Sequence, residues 1–95
     1  MSDPSSTGNT AFCRAAEEVK NLQKKPSDSD LLKIYALYKQ GIEGDNTTAK
    51  PSFYDFKNVA KWNAWSELRG FHELSKEDAQ KKYIALVDSL KTAPQ

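Results

Sequence analysis

The run Leu31-Leu32-Lys33-Ile34-Tyr35-Ala36-Leu37-Tyr38 constrains this chain more than any other segment, because Lys33 alone interrupts its apolar and aromatic side chains. At ~100° per residue, a helix carrying it is apolar around far more than one stripe. Such a helix cannot lie on a fold with one face packed and the rest in water. The spacing predicts a core stripe of Leu31, Tyr35, Tyr38 and Ile42, with Leu32 and Lys39 on the flank beside Tyr35. Lys39 then stands as an unpaired ammonium between apolar neighbours. Neighbouring helices can cover the remaining arc and leave Lys39 to snorkel, or a bound ligand can cover it; periodicity alone leaves both open.

Ser27 with Asp30 makes an acidic capping pair ahead of this run, so helix two is expected to start there and to end near Gly41 to Gly44. Upstream, Phe12, Ala15, Ala16, Val19 and Leu22 recur at helical spacing until Pro26, which predicts helix one over about 11–24. Val59, Ala60, Trp62, Ala64, Trp65 and Leu68 predict helix three over about 58–69, with Gly70 as the residue that closes it. Ser75 and Asp78 repeat the capping pair, and Ala79, Tyr83, Leu86, Val87 and Leu90 carry helix four to about Lys91. Between helices two and three, DNTTAKPSFYDFK has neither period, which makes a loop of about fourteen residues. Loops this long are uncommon in compact domains, and Phe53, Tyr54 and Phe56 argue that this one is ordered. The expectation is an all-α four-helix bundle with a long overhand loop between helices two and three. Residues 1–9 are small and polar and read as a flexible tail, leaving 10–95 as the domain.

Ninety-five residues support one small core. The net charge of +1, with twelve Lys but only Arg14 and Arg69, is not that of a nucleic-acid binder, so any anion site must come from local clustering. No run approaches the ~20 apolar residues of a membrane span, and the first ten residues lack a secretory h-region. With Cys13 as the lone cysteine, a reducing, cytoplasmic location is expected, and an internal disulfide is impossible. A Cys13–His72 dyad is the only conceivable nucleophile and base, yet no sequence cue brings the two together. Metal-ligand spacings and phosphate-cradling glycine loops are absent, so neither an enzyme nor a cofactor is expected. Asn46-Thr47-Thr48 matches a glycosylation sequon by chance.

The positive signal is lysine interleaved with aromatics: Tyr35, Tyr38 and Lys39, then Lys57, Lys61 and Trp62, then Tyr83. Ammonium groups neutralise phosphate, phenols donate to it, and rings stack on a heterocycle, so the mixture suits a phosphorylated ligand with a flat ring. Lys57 and Lys61 at i, i+4 also fit a solvated helix face.

At YALYKQGIEGD, residues 35–45, followed by Pro51 and by AKWNAW, residues 60–65, the chain closely resembles the acyl-CoA-binding protein family. The resemblance runs from Phe12 through AAEEVKNL and the KPSD turn to YIALVDSL. It implies the same bundle with an overhand loop, and a monomeric, non-catalytic carrier and cytosolic buffer of long-chain acyl-CoA esters. It further implies that Tyr35, Lys39 and Lys61 hold the ribose 3′-phosphate, with Tyr38 and Tyr83 along the adenine and acyl parts. By the same resemblance, Lys20 and Lys57 are further CoA contacts, and Phe12, Ala16 and Leu32 are apolar neighbours of the ligand. Gly41 stands where the family commonly has alanine, which would loosen helix two by up to ~1 kcal/mol. Asn58-Val59 stands where glycine and lysine are more usual, and about three extra residues lengthen the turn at Gly70 to Leu74. A helical module docking a partner helix or an anionic lipid headgroup is the alternative use of the same surface.

Overall fold

The computed structural model describes residues 4–22, 24–70 and 74–92; the first three residues of the expected tail and most of the longer turn, Phe71 to Glu73 with His72, lie outside them. A 3-10 turn at Pro4–Thr7 leads into α1, Thr10–Glu18, whose first turn is capped by Asn9 Oδ1 accepting from the Phe12 amide. The other three helices are α2, Asp28–Glu43, α3, Phe56–Gly70, and α4, Lys76–Thr92. Among the described residues there is no strand. Both serine caps form: Ser27 Oγ accepts from the Asp30 amide and Ser75 Oγ from the Asp78 amide, each at 3.1 Å.

Two boundaries differ from expectation. Helix α1 stops at Glu18 and tightens into a 3-10 turn over Val19–Asn21, where the Asn21 side-chain amide donates to the Glu17 carbonyl. Leu22 is already extended, well ahead of Pro26. Helix α3 begins two residues early, because Asp55 receives both the Val59 amide on its carbonyl and the Asn58 side chain on its carboxylate. Gly70 is the last residue of α3 rather than the one beyond it.

Side-chain pairings give the topology. Asn9 meets Gln80, Phe12 meets Tyr83 and Glu18 meets Lys91, so α1 and α4 run parallel. Tyr38 meets Tyr83 while Gln80 meets Gly41, so α2 is antiparallel to α4. Lys61 lies on Tyr35 and Lys39 on Trp65, so α2 and α3 are parallel. Consecutive parallel helices need a connection that travels back the length of the first. Helix α2, with 16 residues, is about 24 Å long. Residues 44–55, at up to ~3.4 Å each, are ample for the return.

The core lies where α1, α2 and α4 meet, around Phe12, Ala15, Ala16, Ile34, Tyr83 and Val87. Phe12 packs edge-to-face on Tyr83 with centroids 5.0 Å apart, and Tyr38 closes the triangle at 5.9 Å from each. Burial, aided by the Tyr38 phenol, pushes the Tyr83 hydroxyl up to about 12, so it stays neutral at physiological pH. At Gly41, α4 packs close against α2. A Cβ there would meet Gln80 Cγ at 3.1 Å and Phe12 Cζ at 3.2 Å, and Gln80 donates to the Gly41 carbonyl at 2.8 Å. The missing side chain makes room for a buried glutamine that bridges to Asn9.

Of the expected core stripe of α2, Tyr38 and Ile42 pack against the core, and Leu31 and Tyr35 do not. Ile34, Ala36, Gln40 and Gly41 are buried, whereas Leu31 is exposed and Tyr35 half-exposed. With α4 on one side and α3 on another, α2 buries a broad arc centred away from Leu31 and Tyr35. Gln40 can join that arc because its amide donates to the Leu74 carbonyl at 2.6 Å and to Asp45 at 3.0 Å.

Candidate functional site

The uncovered arc of α2 holds Leu31, Tyr35 and Lys39 on successive turns, and α3 faces it with Lys57, Lys61 and Trp65, also one turn apart. Two rungs join the helices. Lys61 Nζ lies 5.4 Å from the Tyr35 ring centroid, and Lys39 Nζ lies 5.1 Å from that of Trp65. Each helix thus supplies one cation and one ring, crosswise. Lys39 is not the unpaired ammonium expected from the sequence: besides Trp65 it has an ion pair with Glu43, one turn further on.

Below the Lys61 rung the helices part into a groove of ≈ 530 Å³, lined by Leu31, Leu32, Phe56 and Ala60 and rimmed by Lys25, Lys57, Lys61 and Asp28. A second groove of ≈ 530 Å³, with Leu32, Ala36, Leu37, Ala64 and Leu68, is rimmed by one cation, Lys33, and one carboxylate, Glu67. A third, of ≈ 450 Å³ between α1 and α4, sets Arg14 and Lys91 against Glu17 and Glu18. Of the three, only the first combines an apolar floor with an excess of cations. Lys61 belongs both to this groove and to the first rung, so an anion at that rung would adjoin an apolar tail in the groove.

The long loop is ordered, but not by its aromatics. Phe53, Tyr54 and Phe56 are 85%, 70% and 79% exposed. The loop is tied to α3 instead: Trp65 Nε1 donates to the Gly44 carbonyl at 2.9 Å and Trp62 Nε1 to the Thr48 carbonyl at 3.0 Å. Asn46 is buried, donates to Ser66 Oγ at 2.9 Å and accepts from Thr48, so its amide nitrogen is not presented for glycosylation. Lys50 is carried to within 5.8 Å of the Trp62 ring.

The residues singled out in the sequence fall into three places. Leu32, Tyr35, Lys39, Lys57 and Lys61 come together on α2 and α3. Phe12, Ala16, Tyr38 and Tyr83 form the aromatic core beneath, with Phe12, Ala16 and Tyr83 buried and Tyr38 partly open. Lys20 stands apart, exposed and within 3.5 Å of Glu17. Trp65 and Glu43 were missed, although a signal existed for both: each lies four residues beyond a selected lysine and so on its face. Among the described residues no three His, Cys, Asp or Glu side chains gather as a metal site, and no described helix is long and apolar enough to cross a membrane.

Fold and groove together define a small helical ligand-binding module, with an apolar groove edged by lysines. The chain belongs to the acyl-CoA-binding protein family: the family model described as "Acyl CoA binding protein" matches residues 9–87. Acyl-CoA-binding protein homolog 1 of Caenorhabditis elegans is 55% identical over 80 residues, which are 84% of this chain and 90% of that protein. The Saccharomyces cerevisiae acyl-CoA-binding protein is 49% identical over 79 residues, 83% of this chain and 87% of its own. The fold is similar to the crystal structure of Oryza sativa Acyl-CoA-Binding Protein 2, with a TM-score of 0.77 at 39% identity, covering 84% of this chain and 86% of that one. The solution structure of the yeast acyl coenzyme A binding protein gives a TM-score of 0.66 at 48% identity, over 85% of this chain and 91% of that one.

Proposed function

We propose that this protein binds long-chain acyl-CoA esters without turning them over, and buffers and carries them in the cytoplasm as a monomer. The observation that carries this reading is the crosswise pair of lysine–ring rungs at the head of an apolar groove. Lys39, Lys61 and the Tyr35 phenol take the ribose 3′-phosphate, the two ammonium groups coming from rungs one helical turn apart. Lys57 and Lys20 supply further charge to CoA, Lys57 from the groove rim and Lys20 from outside the cluster. Leu32 borders the acyl chain directly. Tyr38, which is partly open, borders the adenine and acyl parts, and the buried Tyr83, Phe12 and Ala16 back it from the core.

The chemistry needs no nucleophile. Burying the chain contributes ~0.8 kcal/mol for each methylene removed from water, and the phosphates give the charged handle that a free fatty acid lacks. The domain spans 10–95, with residues 1–9 ahead of it, of which Asn9 is tied in by its cap on α1 and its bond to Gln80. Calorimetric titration with palmitoyl-CoA, CoA and palmitate tests the reading. Palmitoyl-CoA is expected to bind tightly, CoA more weakly and palmitate least. Equal affinity for palmitate and palmitoyl-CoA would overturn it, because CoA would then not be the principal handle.

A further inference from the structure

Lys39 is already occupied in the protein without ligand. Its ammonium pairs with Glu43, and both side chains are partly shielded, at 22% and 36% exposure. Helix stability does not explain a carboxylate at this position. Glu43 is the last residue of α2, a last turn that holds no basic residue, and a negative charge there opposes the helix macrodipole. The pair also runs from lysine to glutamate along the chain, the less favourable order for an i, i+4 contact. At the C-terminal end of α2, Lys39 thus offsets a charge that the helix itself disfavours.

We propose that Glu43 is a resident competitor for Lys39: it holds the ammonium in place over Trp65 and yields it only to an anion that outbids a single carboxylate. A phosphate monoester carries close to two negative charges at neutral pH and presents three acceptor oxygens, so it displaces Glu43 where a monoanion does not. Once the phosphate is bound, the displaced carboxylate remains nearby as a like charge. Glu43 therefore lowers affinity for the ligand while restricting Lys39 to dianions. The inference rests on the 3′-phosphate assignment of Lys39 made above, and it adds a residue that governs how selective that lysine is.

The test is a comparison of wild type and Glu43→Gln by titration with palmitoyl-CoA and with palmitoyl-dephospho-CoA, which lacks the 3′-phosphate. Wild-type affinity for palmitoyl-CoA comes first, since its absence would sink the functional reading and not this one. With wild-type binding established, Glu43→Gln is expected to bind palmitoyl-CoA about three- to tenfold more tightly and the dephospho ligand within about twofold of wild type. Its thermal midpoint should not fall, because the replacement is near-isosteric and relieves the helix end. In a Lys39→Ala background the gain from Glu43→Gln should collapse toward parity. Unchanged or weaker palmitoyl-CoA binding by Glu43→Gln overturns the proposal. So does a gain that survives undiminished without Lys39, since that would be repulsion through space and not competition for the lysine.

Discussion

Along α2, the arc through Ile34, Tyr38 and Gly41 meets α1 and α4 in close side-chain packing, whereas the arc through Leu31, Tyr35 and Lys39 meets α3 across cations resting on rings. One helix thus borders a packed core on one side and a half-open, charged groove on the other. Packed apolar contacts are strong and hard to rearrange; a lysine over a ring is weaker and can exchange its partner for an anion. Stability and recognition are therefore separable by substitution, even though adjacent residues on α2, Ile34 and Tyr35 or Tyr38 and Lys39, serve different ends.

The largest effect expected is on the packed side. Phe12→Ala removes a fully buried ring from the Tyr38–Tyr83 triangle and should cost about 3–5 kcal/mol of unfolding free energy, read from a urea titration. A loss below ~1 kcal/mol would erase the contrast, because the aromatic cluster would not be what holds α1 to α4. On the open side, Lys39→Ala should weaken palmitoyl-CoA binding by about 2 kcal/mol, the low end for truncating a buried charge partner, since Lys39 retains some exposure. Its unfolding free energy should fall by only ~0.5 kcal/mol, the cost of leaving Glu43 without its offset at the end of α2. The variant should also discriminate less between palmitoyl-CoA and palmitoyl-dephospho-CoA; undiminished discrimination would put the phosphate elsewhere.

The smallest effect sharpens the boundary between the two sides. Gly41→Ala gains ~1 kcal/mol in helix propensity but forces a Cβ against Phe12 and Gln80, and overpacking usually costs ~1–3 kcal/mol. A net loss of about 1 kcal/mol is expected, visible as a lower thermal midpoint with unchanged ligand affinity. A stabilised variant would mean that α4 can retreat and that the close approach at Gly41 is not required.

The caps and breakers were legible because they act locally. Ser27 and Ser75 work through their own amide three residues on, and the serine-acid spacing is visible in the chain. The buried faces of α1 and α4 were legible for the same kind of reason, since Phe12, Ala15 and Ala16, and Ala79, Tyr83 and Val87, each form one stripe. Helix α2 defeated that logic. With apolar residues on all sides, its pattern shows that two neighbours exist but not which arc each takes. The residues that settle the matter, Gln40 and Gly41, look unsuited to burial until their partners Leu74, Asp45 and Gln80 are in place. The lysines of the site were visible individually. Their pairing with Tyr35 and Trp65 was not, because it depends on α2 and α3 lying parallel, a property of the long loop and not of either helix.

Among the described elements, α3 finds its principal support on α2, and the loop leading into it is fastened by α3's own tryptophans. Loop and helix form a unit whose main seam is with α2. Such a unit can open while α1, α2 and α4 stay assembled, at a free energy below that of global unfolding. An ester lying across the seam would add contacts to both sides of it, closing the unit further by RT ln(1 + [L]/Kd). Cargo then becomes part of the tertiary structure. The proportion of carrier molecules with a loosened third helix, and with it their exposure to proteases, would report how much free acyl-CoA surrounds them.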